Sequence, residues 1–432
     1  MLRRKLALAL LLVLPTAALS LRAQSIVGQW QGTLQSPHPL RVVLNVWRDT
    51  TGSLQAYDVS IDQSPDHIPV TTISMTHEEL DFSIAMIQGS YHGKISADGN
   101  RIDGTWTQGS PMPLNFERAT EATSWLTKSK TRLVAVAPGM SLEVIDWGGS
   151  GPPIVFLAGL GNTAHIFDNF APKFLPNYHV YGITRRGFGV SSSPVPSGSN
   201  YSADQLGDDV LKVMDVLGIN KPVIIGHSIA GEELSSIGNR FPDKVAGLVY
   251  LDAGYAYALW SPDSGDSRLD AEDLQKDLSA FLSAPPGSDD KEIVAKSLAA
   301  LAQLQKDFVD QQKEMETLPP PPANQPKPPF AAAGAAIIMG QQKYTSIPVP
   351  FLAIFASPHN RGPMPNFTDA QKAALVASDK KTTSAQIAAF QALKSAKVVI
   401  LPNASHYVFL SNEPEVEKDI KDFLATVDAA GR

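Results

Sequence analysis

The sequence predicts an α/β protein, with a mostly parallel sheet covered by helices on both faces and a small antiparallel β domain before it. Three observations lead to this prediction. Residues 25–120 carry short runs in which apolar and polar side chains alternate, as in half-buried strands. From residue 132 onward, short apolar runs alternate with stretches of helical periodicity, which is typical of a parallel sheet between helices. At residues 223–231 one such strand turns into a helix within a single residue.

Composition excludes several classes of protein. The chain has 432 residues, enough for two domains, and its 43% hydrophobic and 18% charged residues are ordinary for a globular protein. A net charge of −7, with no basic cluster after the first residues, argues against a nucleic-acid-binding protein. The chain contains no cysteine, which excludes disulfides, thiolate metal sites and a cysteine nucleophile.

Residues 1–23 are predicted to be a secretory signal peptide. A basic start is followed by an apolar run at 6–14 and then by small residues. The apolar run is too short to span a bilayer comfortably, and no other segment is predicted to cross a membrane. We therefore expect a periplasmic or secreted protein with no stable membrane span after signal cleavage.

The β domain is predicted at residues 25–120. It opens with Gly-Gln-Trp at 28–30 and closes with Gly-Thr-Trp at 104–106, an arrangement that resembles lipocalin-type barrels. Two interpretations remain open: a ligand-binding accessory module, or a structural domain whose Trp30 and Trp106 fill the core. Residues 121–131 are predicted to be a linker.

The α/β domain is predicted in two pieces, 132–254 and 346–432. Six apolar runs are predicted to form strands of its sheet: 153–157, 180–183, 223–225, 247–251, 350–355 and 397–401. Residues 255–345 interrupt this pattern with polar helical sequence and a proline run at 318–322, so they are predicted to form a cap insertion.

The strand-to-helix turn carries the sequence Gly-His-Ser-Ile-Ala at 226–230. Such a sharp turn strains the backbone at its central residue and requires small neighbours, here Gly226 and Ala230. It also lifts the Ser228 hydroxyl clear of the backbone, next to a helix N-terminus that favours negative charge. This turn resembles the nucleophile elbow of the α/β-hydrolase superfamily, with Ala230 where a second glycine is commonest.

Two further motifs extend the resemblance over residues 132–430. Ala-Gly-Leu-Gly at 158–161 resembles the superfamily's His-Gly-x-Gly turn, and Arg-Gly-Phe-Gly-Val-Ser at 186–191 resembles its Arg-Gly-x-Gly-x-Ser turn. The resemblance implies an α/β-hydrolase fold with a helical cap. It also implies an oxyanion hole formed by the backbone amides of Leu160 and Ile229.

The resemblance places the catalytic base at His406, which follows the last predicted strand. The acid is less clear, because Asn360 stands at the commonest position and an amide cannot stabilise an imidazolium as a charge does. Asp252, at the end of the preceding strand, occupies the other position that the superfamily uses, and we favour it. Asp379 and a glutamate of the pair at 232–233 remain alternatives.

The chemistry that the resemblance implies is acyl transfer from a small ester-like substrate to water, with Ser228 as nucleophile and with no metal or organic cofactor. A serine at the elbow argues against the dehalogenase and epoxide-hydrolase branches, which use aspartate there. Carboxylesterase activity is predicted. Amidase, lactonase or aminopeptidase activity on the same triad is an alternative, as is a non-catalytic periplasmic ligand-binding protein that has kept the fold.

Overall fold

The computed structural model describes residues 25–35, 40–49, 51–61, 64–126, 130–285, 290–317, 331–362 and 367–431. The predicted signal peptide and the proline run at 318–322 lie outside the described residues. Within them, no helix is both long enough and apolar enough to cross a membrane.

The N-terminal region is a single antiparallel sheet, as predicted. Its ten strands are β1 (Gly28–Leu34), β2 (Leu40–Arg48), β3 (Leu54–Ser60), β4 (Ser64–Pro69), β5 (Thr72–Thr76), β6 (Glu79–Ile84), β7 (Gly89–Ile95), β8 (Arg101–Gln108), β9 (Ser110–Pro113) and β10 (Phe116–Arg118). The order across the sheet is β4-β3-β2-β1-β10-β8-β7-β6-β5, and β9 pairs with β8.

This sheet curls so that its two edge strands come close together at one end. The edge strands β4 and β5 are consecutive in the chain and are joined only by Val70 and Thr71. The Val70 amide donates to the carbonyl of Ala56 in β3 at 3.0 Å, and the Thr71 amide donates to the carbonyl of Ser83 in β6 at 2.7 Å. The result is a partly open barrel.

Aromatic side chains fill the interior of the barrel. Trp30 and Phe116 are completely buried, and Trp106 lies in the same cluster. The Trp30 indole donates to the Ile26 carbonyl at 2.8 Å, and the Tyr91 hydroxyl donates to the Leu114 carbonyl at 3.1 Å, so neither polar group is left unpaired. The two tryptophans that mark the start and end of the motif are therefore core residues.

The second region contains an eight-stranded sheet with the order β11-β12-β14-β13-β15-β16-β17-β18. Its strands are β11 (Lys130–Ala137), β12 (Met140–Gly149), β13 (Pro153–Leu157), β14 (His179–Ile183), β15 (Val223–His227), β16 (Gly247–Leu251), β17 (Phe351–Ala356) and β18 (Ala396–Leu401). β11 and β12 form an antiparallel hairpin at one edge of the sheet, and β12 also pairs antiparallel with β14. The remaining pairs are parallel.

Eight α-helices accompany this sheet in the described residues. They are α1 (Ala203–Leu217), α2 (Ala230–Arg240), α3 (Ser267–Ser283), α4 (Lys291–Thr317), α5 (Ala331–Met339), α6 (Asp369–Gln391), α7 (Val408–Ser411) and α8 (Glu413–Ala429). Helices α3, α4 and α5 lie between β16 and β17, inside the segment predicted as a cap.

The two faces of the sheet pack against different helices. In β15, Ile224 belongs to the apolar cluster that includes α1, α2 and α6, whereas Ile225 belongs to the cluster that includes α8. Because both faces are covered, the central strands are continuous apolar runs rather than alternating ones. Helices thus cover both faces, as the sequence predicts.

Candidate active site

The parallel strands direct their carboxyl ends to one edge of the sheet, and the predicted site residues lie along that edge. Ser228 follows β15, Asp252 follows β16 and His406 lies in the loop after β18. Leu160 lies in the turn after β13. Parallel strand pairing therefore brings together residues that are up to 246 positions apart in the chain.

The turn at Ser228 has the strained geometry that the sequence predicts. The φ angle of Ser228 is +55°, in the left-handed region, and it falls between the end of β15 and the start of α2. A Cβ atom on Gly226 would lie 3.0 Å from the Cβ of Ala230, closer than such atoms normally approach. Larger residues at these two positions would therefore force the turn apart.

Ser228, His406 and Asp252 form a continuous hydrogen-bonded chain. The Ser228 Oγ lies 2.8 Å from Nε2 of His406, and Nδ1 of His406 lies 2.6 Å from Oδ2 of Asp252. Since Nδ1 faces a carboxylate, it carries the proton, which leaves Nε2 to accept the hydrogen bond from the serine hydroxyl. The imidazole is therefore oriented to remove the serine proton.

Asp252 is a buried carboxylate that accepts several hydrogen bonds. It is 2% exposed, its Oδ1 accepts the Ala356 amide at 3.0 Å, and its Oδ2 accepts from both His406 and His359. Burial alone would raise the pKa of Asp252, but the hydrogen bonds from His359 and His406 outweigh it and hold that pKa below its ordinary value. Asp252 is therefore a charged partner for His406.

The other acids considered from the sequence lie elsewhere. Asn360 is exposed, and its side-chain oxygen accepts the Gly362 amide at 3.0 Å. Asp379 contacts His359 and not His406. Glu233 pairs with Arg185 through two hydrogen bonds of 2.7 and 2.6 Å. Of the candidate acids, Asp252 is the one that bonds to His406.

The turn after β13 lies directly against Ser228. A Cβ atom on Gly159 would lie 3.2 Å from the Cβ of Ser228 and 2.7 Å from Nδ1 of His227, so only glycine fits there. Within the described residues the amides of Leu160 and Ile229 donate to no other group. The Ile229 amide also immediately precedes α2, where helix amides have no intrahelical acceptor. Both amides are available to an oxyanion.

His227 supports the loop that carries His406. Its Nε2 lies 3.0 Å from the His406 carbonyl oxygen and donates to it, while burial and the nearby His406 lower the pKa of His227 to about 3. His227 therefore joins the turn at Ser228 to the loop after β18.

Arg185 connects the turn after β13 to α2. Besides its two bonds to Glu233, it donates from Nη2 to the Ala158 carbonyl at 2.9 Å. Arg186 makes a comparable buried pair with Asp209, at 2.6 Å for both bonds, and donates to the Asn200 carbonyl instead. Of these two arginines, Arg185 is the one that bonds the turn after β13, which is the predicted oxyanion turn, to α2, the helix after the elbow.

Glu232 is a buried carboxyl group without a hydrogen-bond partner among the described residues. It is completely buried in the first turn of α2, and both of its side-chain oxygens are unpaired. Burial and the adjacent Glu233 raise the pKa of Glu232 well above its ordinary value, against the opposing charges of Arg185 and Arg268. The Glu232 carboxyl group therefore holds its proton to higher pH than an exposed glutamate does.

Asp252, His359 and His406 are also the three residues whose side-chain atoms could share a cation, because these atoms lie within 4.8 Å of one another. The shared carboxylate oxygen lies 2.6 Å from one ring nitrogen and 2.7 Å from the other, which are hydrogen-bond distances. The distances within this cluster are therefore those of a hydrogen-bonded group.

The sequence did not reveal that His359 contacts Asp252 or that Tyr257 contacts Ser228. His359 stands one residue before the position at which a carboxylate is expected, and only its position in the fold shows that it contacts Asp252. The Tyr257 hydroxyl interacts with the Ser228 side chain, and burial raises the pKa of Tyr257 well above its ordinary value. The sequence feature that could have indicated the position of Tyr257 is the pair Tyr255 and Tyr257 shortly after β16.

Comparison with known proteins agrees with this architecture. A family model for the alpha/beta hydrolase fold matches residues 152–413. The chain belongs to this family, whose related members include several kinds of hydrolase.

Two relatives illustrate the range of those activities. A fluoroacetate dehalogenase from a Burkholderia species is 32% identical over 115 residues, which cover 26% of this chain and 38% of the relative. The 2-(acetamidomethylene)succinate hydrolase of Mesorhizobium japonicum is 23% identical over 133 residues, 31% of this chain and 47% of the relative. The matched segment thus spans less than half of either relative. The solved structure of a thermophilic esterase from Thermogutta terrifontis aligns with a TM-score of 0.44 and 15% identity, over 70% of this chain and 99% of that one.

The two neighbouring arginines provide a matched test of the oxyanion turn. Removing either buried guanidinium leaves a buried carboxylate unpaired, so Arg185→Gln and Arg186→Gln should each lower the free energy of unfolding by about 3–5 kcal/mol. Only Arg185→Gln should also lower kcat, by roughly 10- to 100-fold, because only it frees the Ala158 carbonyl and displaces the adjacent amides. Equal kcat values for the two variants, at a temperature where both are folded, would contradict this role.

Glu232 should make stability depend on pH. Its pKa is higher in the folded than in the unfolded chain, so above the unfolded value the unfolded chain ionises first and stability falls as pH rises. Glu232→Gln cannot ionise. The melting temperature of Glu232→Gln minus that of wild type should therefore be higher at pH 8 than at pH 5. The control is Glu78→Gln at a largely exposed glutamate, for which this temperature difference should be the same at both pH values. The same temperature difference at pH 5 and pH 8 for Glu232→Gln would contradict the prediction.

Proposed function

We propose that this protein is a serine hydrolase, and in the first place a carboxylesterase, acting through Ser228, His406 and Asp252. The observation that carries the proposal is the hydrogen-bonded chain from Ser228 Oγ through His406 to a buried, ionised Asp252, beside two backbone amides that donate to no other described group. Each part of an acyl-transfer site is represented in this arrangement.

In the proposed mechanism, His406 Nε2 removes the Ser228 proton as the serine oxygen attacks the substrate carbonyl. The carbonyl oxygen becomes an oxyanion that accepts hydrogen bonds from the amides of Leu160 and Ile229. His406 then donates its proton to the leaving alcohol, which leaves an acyl group on Ser228. Water, activated by the same imidazole, hydrolyses this acyl-enzyme and restores the serine.

Asp252 contributes in both steps. Its negative charge, held close to Nδ1, stabilises the imidazolium that forms each time His406 accepts a proton. It also keeps the proton of the neutral ring on Nδ1, so that Nε2 faces the serine.

The surroundings of the two amides support an apolar acyl group. Leu160 and Ile229 belong to an apolar cluster whose other members come mainly from the segments before α1 and from the cap. These are Phe188, Tyr201, Leu206, Tyr257, Ala333, Ala336 and Ile337. An acyl group held beside these two amides would therefore lie close to apolar rather than charged side chains. This favours uncharged esters, although an amide or lactone carbonyl would fit the same chemistry.

The proposal predicts ester hydrolysis that depends on all three side chains. Purified protein lacking residues 1–23 should release p-nitrophenol from acetate, butyrate and octanoate esters. Ser228→Ala and His406→Ala should lower kcat by about 10³-fold or more, because each removes a reacting group. Asp252→Asn should lower kcat by about 10³- to 10⁴-fold, because the amide cannot stabilise the imidazolium or hold its tautomer.

The matched control is Asn360→Asp, which puts a carboxylate at the commonest position of the acid without touching the three residues. It should not rescue Asp252→Asn, since Asn360 is exposed and turned toward Gly362. Rescue would show that a carboxylate at position 360 can reach His406, which would contradict this placement of the Asn360 side chain. Wild-type protein that hydrolyses no ester of any chain length, and no corresponding anilide, would favour the non-catalytic ligand-binding alternative.

A further inference from the structure

His359 joins the proposed acid of the site to a second carboxylate. It lies in the loop after β17, and its Nε2 is 2.7 Å from Oδ2 of Asp252. On the other side of the ring, Nδ1 is 2.9 Å from Oδ1 of Asp379, which is a residue of α6. The side chains of His359 and Asp379 are 12% and 6% exposed, so the contact is shielded from solvent.

The geometry requires His359 to be doubly protonated. A neutral imidazole has one N–H and one lone pair, and here a lone pair on either nitrogen would face a carboxylate oxygen within 3 Å. An imidazolium donates to both. Burial lowers the pKa of His359, but the hydrogen bonds and charges of Asp252 and Asp379 outweigh it and raise that pKa above its ordinary value.

Asp379 is itself held in place for this contact. Its Oδ2 accepts the backbone amide of His359 at 2.9 Å, and its Oδ1 accepts the guanidinium of Arg361 at 2.8 Å. The carboxylate therefore receives both the ring and the main chain of the same histidine. This fixes the ring plane, and with it the direction of the Nε2–H bond toward Asp252.

We propose that His359 is a positioning residue of the hydrolytic site, which orients Asp252 and sets the proton affinity of His406 through it. This inference rests on the proposed function. His406 and His359 share one oxygen of Asp252, and their ring centroids are 6.2 Å apart. The positive charge on His359 reduces the attraction of Asp252 for a proton on His406. We therefore expect the loss of this charge to strengthen that attraction.

This arrangement also explains why the loop after β17 can carry Asn360, and not a carboxylate, at the commonest position of the acid. In this chain the loop after β17 supplies a cation to an acid that comes from the end of β16. The other ionisable groups near these residues include Arg361 beside Asp379, and Tyr255, whose hydroxyl lies 3.4 Å from Nδ1 of His406. The ring centroid of His227 lies 4.7 Å from that of His406, and Tyr257 interacts with Ser228 and Asp252.

The test is the titration of the His406 ring, followed by NMR with histidine labelled at Cε1, in wild type and in two variants. The His406 signal is assigned by its loss in His406→Ala. In His359→Gln the cation is removed, and the pH at which His406 titrates should rise by about 0.5 to 2 pH units, the effect of one charge at this distance. Asp379→Asn should shift it in the same direction, because His359 then becomes neutral while its Nε2–H still reaches Asp252.

Kinetics supply a second readout. In His359→Gln, kcat should fall about tenfold with KM within about twofold, and the acid limb of the pH profile of kcat/KM should move up with the NMR titration. Asp379→Asn should lower kcat less, because it preserves the hydrogen bond to Asp252. The matched control is His179→Gln, which removes a histidine that bonds to Asp146 at 2.8 Å at the opposite edge of the sheet; it should move neither the titration nor the pH profile.

A merely structural role for His359 would be shown by variants that lower the melting temperature yet leave the titration of His406 and the acid limb where they are in wild type. That result overturns the inference. The NMR readout needs no substrate, so a protein without esterase activity whose His406 titration still shifts would refute the proposed function and uphold the coupling. An active esterase in which the His406 titration is the same in wild type and in both variants would uphold the proposed function and refute the coupling.

Discussion

The buried carboxylate of Asp252 is the group on which the proposed site depends. It is 2% exposed and accepts hydrogen bonds from the Ala356 amide and from two histidine rings, His406 and His359. A charge in this position is stable only while those donors are present, because an unpaired buried carboxylate would take up a proton. The orientation of His406, and hence the reactivity of Ser228, follows from keeping Asp252 ionised and fixed.

The surrounding loops are connected so that this geometry is held from several sides. Arg185 bonds the turn after β13 to the elbow helix, and His227 bonds the elbow to the main chain of His406. The Asn360 amide donates to the Ala404 carbonyl at 2.8 Å, which joins the loop that carries His359 to the loop that carries His406. Catalytic groups positioned to a fraction of an ångström need such support, because small displacements are costly in rate.

The apolar strands and the elbow, with its small residues at 226 and 230, were predictable because they follow from hydrophobic and steric patterns that lie close together in the sequence. The position of His406 in the loop after the last strand was implied by the resemblance to the α/β-hydrolase superfamily. His359 was not predictable, because its role depends on β16, β17 and α6 meeting at one edge of the sheet. Likewise, no local pattern distinguishes Glu233, which pairs with Arg185, from its unpaired neighbour Glu232.

The most direct measurement is identification of the residue that reacts with an acyl-transfer inhibitor. Protein treated with a fluorophosphonate is digested, and the modified peptide is sequenced by mass spectrometry. The account predicts one adduct per chain, on Ser228, which is absent in Ser228→Ala and forms far more slowly in His406→Ala. Stoichiometric modification of any other residue, or no modification of the folded wild-type protein, would contradict it.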